Sequence, residues 1–271
     1  MKKSVIALML ACVTLFSFAA CSDDDDNNQP AAPAKTFVLV HGSWQGAFVW
    51  QSVKTQLEQH GQKVVVVELP AHGDDTTAPQ NVTIDAYRDK VLAAINATKQ
   101  KVVLVGHSMG GAVITAIAEK IPAQIEKLVY IGAFVPANGQ SILELSGMDK
   151  QSALPASLTF PTPATIGVKP EKLTDVFCQD GSAAVKEQLV AKYRDEPAIP
   201  FTNKAVVTAA NFGSVDKYYI HTNQDHTIGI DLQNQMAAAA GIKKIYALNT
   251  GHSPFLSKPD SVSIVLLKII E

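Results

Sequence analysis

From Thr36 onward the chain alternates two patterns: short unbroken apolar runs, and longer stretches in which apolar residues recur every three or four positions. Runs such as Phe37-Val38-Leu39-Val40 and Val102-Val103-Leu104-Val105 are rich in β-branched residues and end at glycine or polar residues. That is the signature of parallel strands buried on both faces. It predicts strands near 36–40, 63–68, 101–106, 127–132, 216–221 and 243–248. The periodic stretches predict helices near 47–60, 83–98, 109–120, 227–240 and 259–270. In the stretch near 83, Thr83 is a candidate N-cap and Ile84, Tyr87, Val91 and Ile95 fall on one core-facing side. Strand and helix in regular alternation imply an α/β fold, a mostly parallel sheet covered by helices on both faces. Between Gln140 and Asn203 the alternation lapses into leucines, prolines and short helical pieces with no strand signal. This insertion, at about 140–203, is expected to form a short, mainly helical cap.

One junction in this pattern carries chemistry. The strand ending at Val105 runs into Gly106-His107-Ser108-Met109-Gly110-Gly111, and small residues from Ala112 onward begin a helix. A serine between glycines on a sharp strand-to-helix turn is a nucleophile elbow, because a side chain at either flanking position would strike strand or helix. The five-residue pattern alone arises by chance in roughly one chain in ten of this length. Its place between a buried strand and a small-residue helix is what makes it specific. Ser108 is therefore the candidate nucleophile.

A serine nucleophile requires a base and an acid that orients it, carried in this fold on loops after later strands in the order Ser, acid, His. The run 243–248 is followed by Thr250-Gly251-His252-Ser253-Pro254, which makes His252 the base candidate. One strand earlier, Thr222-Asn223-Gln224-Asp225 supplies Asp225 as the acid. The competing loop, Gly132 to Asn138, contains no carboxylate, and Asp231 lies a turn into the next helix. Backbone amides of Ser43, in the glycine-bearing loop His41 to Gly46, and of Met109 are the candidate oxyanion donors. Trp44 and His107 adjoin this centre and are candidate substrate contacts. His41 and His107 are also placed to brace it by hydrogen bonding. Trp50, at helical spacing with Val53 and Leu57, reads as core. Leu143, Leu145, Met148, Leu154, Leu158, Phe160, Phe177, Leu189 and Tyr193 are cap residues available to line an apolar pocket.

Four separated segments carry a family resemblance: FVLVHGSWQGAFVW (37–50), GHSMGG (106–111), YIHTNQDHTI (219–228) and GHSPFLSKP (251–259). Together they resemble the α/β-hydrolases of the branch containing plant methylesterases, hydroxynitrile lyases and EstC-like esterases. The resemblance implies a Ser108, Asp225, His252 triad, oxyanion donors at Ser43 and Met109, no cofactor and no metal. The lyases of this branch carry lysine after the catalytic histidine and threonine after the first-loop histidine. Here those positions are Ser253 and Gly42. The expected function is thus a carboxylesterase acting on a small or medium ester with an apolar part. The alternatives are a non-catalytic ligand-binding receptor on the same fold, and a hydroxynitrile lyase.

The N-terminus adds a location. Met1-Lys2-Lys3 is basic, Val5 to Ala20 is apolar, and Phe18-Ala19-Ala20-Cys21 precedes Ser22-Asp23-Asp24-Asp25-Asp26. This resembles a lipoprotein signal peptide (1–20), with Cys21 as the lipidated first residue of an acidic, proline-bearing tether (21–34) ahead of the hydrolase domain (35–271). Lipid attachment to a bacterial envelope, at the outer membrane and its surface, is the expectation, with membrane contact through the anchor alone. Apart from Lys2, Lys3 and the four aspartates Asp23 to Asp26, acidic and basic residues balance. That balance argues against a nucleic-acid partner. Of three cysteines only Cys178 lies in the domain, so no intradomain disulfide can form, and it reads as a cap or core residue.

Overall fold

The computed structural model describes residues 33–271. The predicted signal segment, Cys21 and almost all of the tether lie outside them. Nine strands occur among the described residues: β1 (Thr36–Val40), β2 (Lys63–Val67), β3 (Val102–His107), β4 (Ile125–Ile131), β5 (Leu158–Thr162), β6 (Thr165–Val168), β7 (Glu196–Pro197), β8 (Lys217–Thr222) and β9 (Lys244–Leu248). Six of them form one sheet in the order β2-β1-β3-β4-β8-β9, every neighbouring pair parallel.

Strand periodicity divides the core. In β1, Val38 and Val40 face one side, with Leu104, Tyr130 and Tyr219 from neighbouring strands. That side is covered by α2 (Ile84–Thr98), α3 (Gly110–Lys120) and α8 (Ile230–Ala239). Phe37 and Leu39 face the other side with Val105, Ile131 and Ile220. Here the cover is α1 (Gln51–Gln59) and α10 (Pro259–Ile270), preceded by the short α9 (Pro254–Ser257). Trp50 is fully buried against Phe255, ring centroids 4.5 Å apart. Thr83 caps α2 by accepting the Ala86 amide at 3.1 Å, and Tyr87, Val91 and Ile95 are buried along its inner face.

The cap elements lie between Ile142 and Thr202. Four short helices, α4 (Ile142–Met148), α5 (Leu173–Cys178), α6 (Ala183–Ala191) and α7 (Ile199–Thr202), share the cap with β5, β6 and β7. These strands form a separate antiparallel sheet, which corrects the expectation of no strand in this region. The sheet escapes a hydropathy pattern for a physical reason. Phe160, Pro161 and Thr162 of β5 are exposed, and β7 is only Glu196-Pro197, so backbone pairing rather than an apolar run defines it. The expected pocket residues also divide. Leu143, Met148 and Phe160 point to solvent, whereas Leu145, Leu154, Phe177 and Leu189 are buried. Cys178 is buried in α5, and its desolvated thiol is pushed up to about 12.

Candidate active site

The C-terminal ends of the parallel strands bring the separated segments together. β3 ends at His107, and Ser108 follows in the left-handed region with φ +53°, the first residue of the turn into α3. An L residue holds this conformation only under tight packing, and the elbow supplies it. A Cβ on Gly106 would lie 2.7 Å from the Gly110 carbonyl, and one on Gly110 would lie 2.6 Å from the His41 carbonyl. Glycine at both positions lets the turn press against strand and first loop alike. A Cβ at Gly42 would come within 2.7 Å of the Ser108 Cβ, so the first loop rests directly on the serine.

The loop after β8 carries Asp225, 7% exposed. Its Oδ1 accepts the amides of Thr227 and Ile228 at 2.7 and 2.8 Å. Oδ2 accepts the Thr222 hydroxyl at 2.7 Å and His252 Nδ1 at 2.8 Å. The Gln233 side chain, wholly buried, donates to the Thr222 and Ile228 carbonyls and fastens this loop. With Nδ1 donating to Asp225, Nε2 is the ring nitrogen left to accept a proton. That nitrogen is buried and has no hydrogen-bond partner among the described residues. His252 lies over the ring of His107, centroids 4.5 Å apart.

His107 Nε2 donates to the His252 backbone carbonyl at 2.8 Å, and burial holds the ring well below the usual histidine range, neutral. Only 1% exposed, His107 is placed by this bond to brace the candidate base. His41 behaves alike. Its Nδ1 donates to the Gly42 carbonyl at 2.8 Å, its Nε2 accepts the Leu69 amide at 3.1 Å, and burial lowers its pKa.

Ser43 and Met109 flank Ser108 from the first loop and the head of α3. Neither backbone amide takes part in a hydrogen bond within the described residues. Trp44 is 3% exposed and also left-handed, with φ +58°. Its ring packs against Phe177 and Phe201 at 5.4 and 5.8 Å, and Phe177 in turn lies 6.1 Å from the His252 ring. These aromatic rings give the space around the base an apolar wall.

The sequence pattern of the Alpha/beta hydrolase family matches residues 37–263. The chain belongs to this family. It is 31% identical over 261 residues to putative methylesterase 13, chloroplastic, of Arabidopsis thaliana, covering 91% of this chain and 59% of that protein. To the alpha-hydroxynitrile lyase of Arabidopsis thaliana it is 29% identical over 251 residues, covering 84% and 96% of the two chains. Polyneuridine aldehyde esterase superposes with a TM-score of 0.80 at 25% identity, covering 88% of this chain and 100% of that one. The α/β fold read from the strand pattern, and the α/β-hydrolase architecture that the resemblance implies, are therefore the observed ones.

Sequence reading overlooked a second buried cluster beside this centre. Glu196 of the cap, His72 of the loop after β2 and Tyr87 of α2 are all fully buried and joined to one another. The sequence around His72 carries no signal of this cluster, and Tyr87 shares the core-facing side of α2 with Val91 and Ile95.

Proposed function

We propose that the protein is a serine carboxylesterase acting on small or medium esters with an apolar part. The observation that carries this reading is His252: Nδ1 is bonded to Asp225, Nε2 is buried with no hydrogen-bond partner among the described residues, and the ring packs on His107, the residue before a serine held at φ +53°. Ser108 Oγ attacks the ester carbonyl as its proton passes to His252 Nε2, and Asp225 stabilises the imidazolium that forms. The amides of Ser43 and Met109 hold the tetrahedral oxygen, an interaction whose loss typically costs ~100- to 1000-fold in turnover. His252 then protonates the departing alcohol, and water, activated by the same nitrogen, releases the acid from Ser108. The apolar wall of Trp44, Phe177 and Phe201 accommodates the hydrocarbon part of the substrate, with no cofactor in any step.

The named relatives include a putative methylesterase and an esterase, which supports ester cleavage over a purely receptor role. Against lyase chemistry stands the residue after His252. Ser253 is buried, and its hydroxyl accepts from Gln45 Nε2 at 2.8 Å, so that position offers no cation for a departing cyanide. A panel of p-nitrophenyl and methyl esters of increasing acyl length tests the proposal: turnover that peaks at short or medium chains supports it. Cyanide release from mandelonitrile well above the buffer rate, abolished by Ser108→Ala, overturns it in favour of the lyase.

The same proposal places the enzyme on a bacterial envelope through lipid on Cys21, supported by the basic, apolar and Cys-Ser-Asp₄ order of the first 26 residues. Two or more acyl chains suffice for stable attachment at about 0.8 kcal/mol per buried methylene. Lipid labelling that persists in Cys21→Ser contradicts the assignment.

A further inference from the structure

Trp44 poses a problem that its neighbours solve. A tryptophan in the left-handed region is rare, and it persists only where surrounding structure fixes it. Three contacts do so, all from the cap. Its amide donates to Glu196 Oε2 at 3.0 Å, its indole Nε1 donates to the Ile166 carbonyl at 2.8 Å, and its carbonyl accepts the Arg194 amide at 3.4 Å. Glu196 and Ile166 are themselves paired across β7 and β6, so one small sheet grips both the backbone and the ring.

The Glu196 carboxylate is kept ionised in a site with no solvent exposure. His72 Nε2 donates to Oε2 at 2.8 Å and Tyr87 Oη donates to Oε1 at 2.8 Å. His72 Nδ1 donates to the Pro70 carbonyl at 2.9 Å, so both ring nitrogens carry protons and the ring is an imidazolium. A buried ion pair of this type is a costly way to gain stability, since apolar residues of like volume serve as well. Its placement has a more specific consequence. The Trp44 amide belongs to the peptide that follows Ser43, so the carboxylate orients that peptide plane. On the other side Gly42 is pressed against Ser108, leaving Ser43 fixed from both directions.

We propose that Glu196 is a positioning residue for the oxyanion hole: by holding the Trp44 amide it aims the Ser43 N–H, so the hole is complete only while the cap sheet is seated. This inference rests on the carboxylesterase reading for its catalytic consequence, and on geometry alone for the coupling of cap to loop.

The test combines amide hydrogen exchange by mass spectrometry across residues 42–46 with steady-state kinetics on a p-nitrophenyl ester. It compares wild type, Glu196→Ala, Glu196→Gln and Trp44→Phe. In Glu196→Ala, exchange in that peptide quickens and kcat falls about a hundredfold, the scale of a 1 Å misplacement, while KM moves by less than about threefold. Glu196→Gln keeps an oxygen for the Trp44 amide and recovers most of both losses, a rescue that general destabilisation does not produce. Should the alanine variant fail to fold, Trp44→Phe, which removes the indole bond to Ile166 and trims the ring packed against Phe177 and Phe201, carries the test of coupling through exchange: faster exchange across 42–46 is expected there too. Exchange unchanged from wild type in a folded variant overturns the coupling. Faster exchange with undiminished kcat overturns the role in the oxyanion hole. A wild type that hydrolyses no ester overturns the esterase reading instead, and exchange alone then decides whether cap and loop are coupled.

Discussion

At the scale of single residues, the centre depends on where side chains are withheld as much as on where they are placed. Gly132, after β4, sits at φ +46°, and a Cβ there would lie 2.6 Å from Thr222 Oγ1 and 3.2 Å from Asp225 Oδ2. The loop that supplies no carboxylate of its own thus makes room for the one supplied by its neighbour. Gly132→Ala is expected to displace Asp225 and lower kcat on the order of a hundredfold in a protein that still melts cooperatively, read by paired kinetics and circular dichroism. On the proposed mechanism, in which the three residues act as a unit, Ser108→Ala and His252→Ala are each expected to cost about a million-fold in turnover, and Asp225→Asn on the order of ten thousand-fold. Near-normal turnover in Asp225→Asn contradicts the acid assignment.

Among elements, legibility followed apolar continuity. β1 and β3 are fully buried on both faces, so their sequences are uninterrupted apolar runs, and each predicted strand of the main sheet is present within a few residues. The cap strands lack any such run, because β5 is mostly exposed and β7 is two residues long. The elbow was legible because its glycines are a local steric requirement. Glu196 was not, since its partners Trp44, His72 and Tyr87 lie 152, 124 and 109 positions away. A glutamate before a proline announces none of them. At the head of α2 the local signal did suffice, as Thr83 accepts the Ala86 amide. Thr83→Ala is expected to lower unfolding free energy by about 1 kcal/mol in chemical denaturation, the ordinary value of an N-cap.

For the molecule as a whole, the His72–Glu196 pair ties cap to body and gives stability a pH signature. Burial opposes the charge on both groups, yet each partner's charge wins: His72 is raised above its ordinary 6.5 and Glu196 is lowered below its ordinary 4.5. Facing groups are His41 of the first loop, Glu68 after β2, Tyr87 of α2 and Tyr193 of the cap. His72, being raised, stabilises the fold fully below 6.5 and loses that contribution as pH climbs through its folded value. Glu196, being lowered, stabilises fully above 4.5 and loses it as pH falls through its folded value. The pair is therefore at full strength between those two values. Removing one partner is expected to cost roughly 3–5 kcal/mol, since a buried charge is left alone. The stability difference between wild type and a His72→Leu, Glu196→Leu double variant, followed by denaturation from about pH 4 to about pH 9, should peak within that window. A flat difference contradicts the ion pair.

The proposed mechanism stands or falls on Ser108 as a nucleophile activated by His252 and Asp225. Intact-mass and peptide-mapping spectrometry after exposure to a fluorophosphonate tests it most directly, because the probe reacts only with a serine whose proton is taken up and whose oxyanion is held. A single adduct on Ser108 is expected, formed far more slowly in Asp225→Asn and absent in His252→Ala. An unlabelled protein, or an adduct at any other residue, contradicts it.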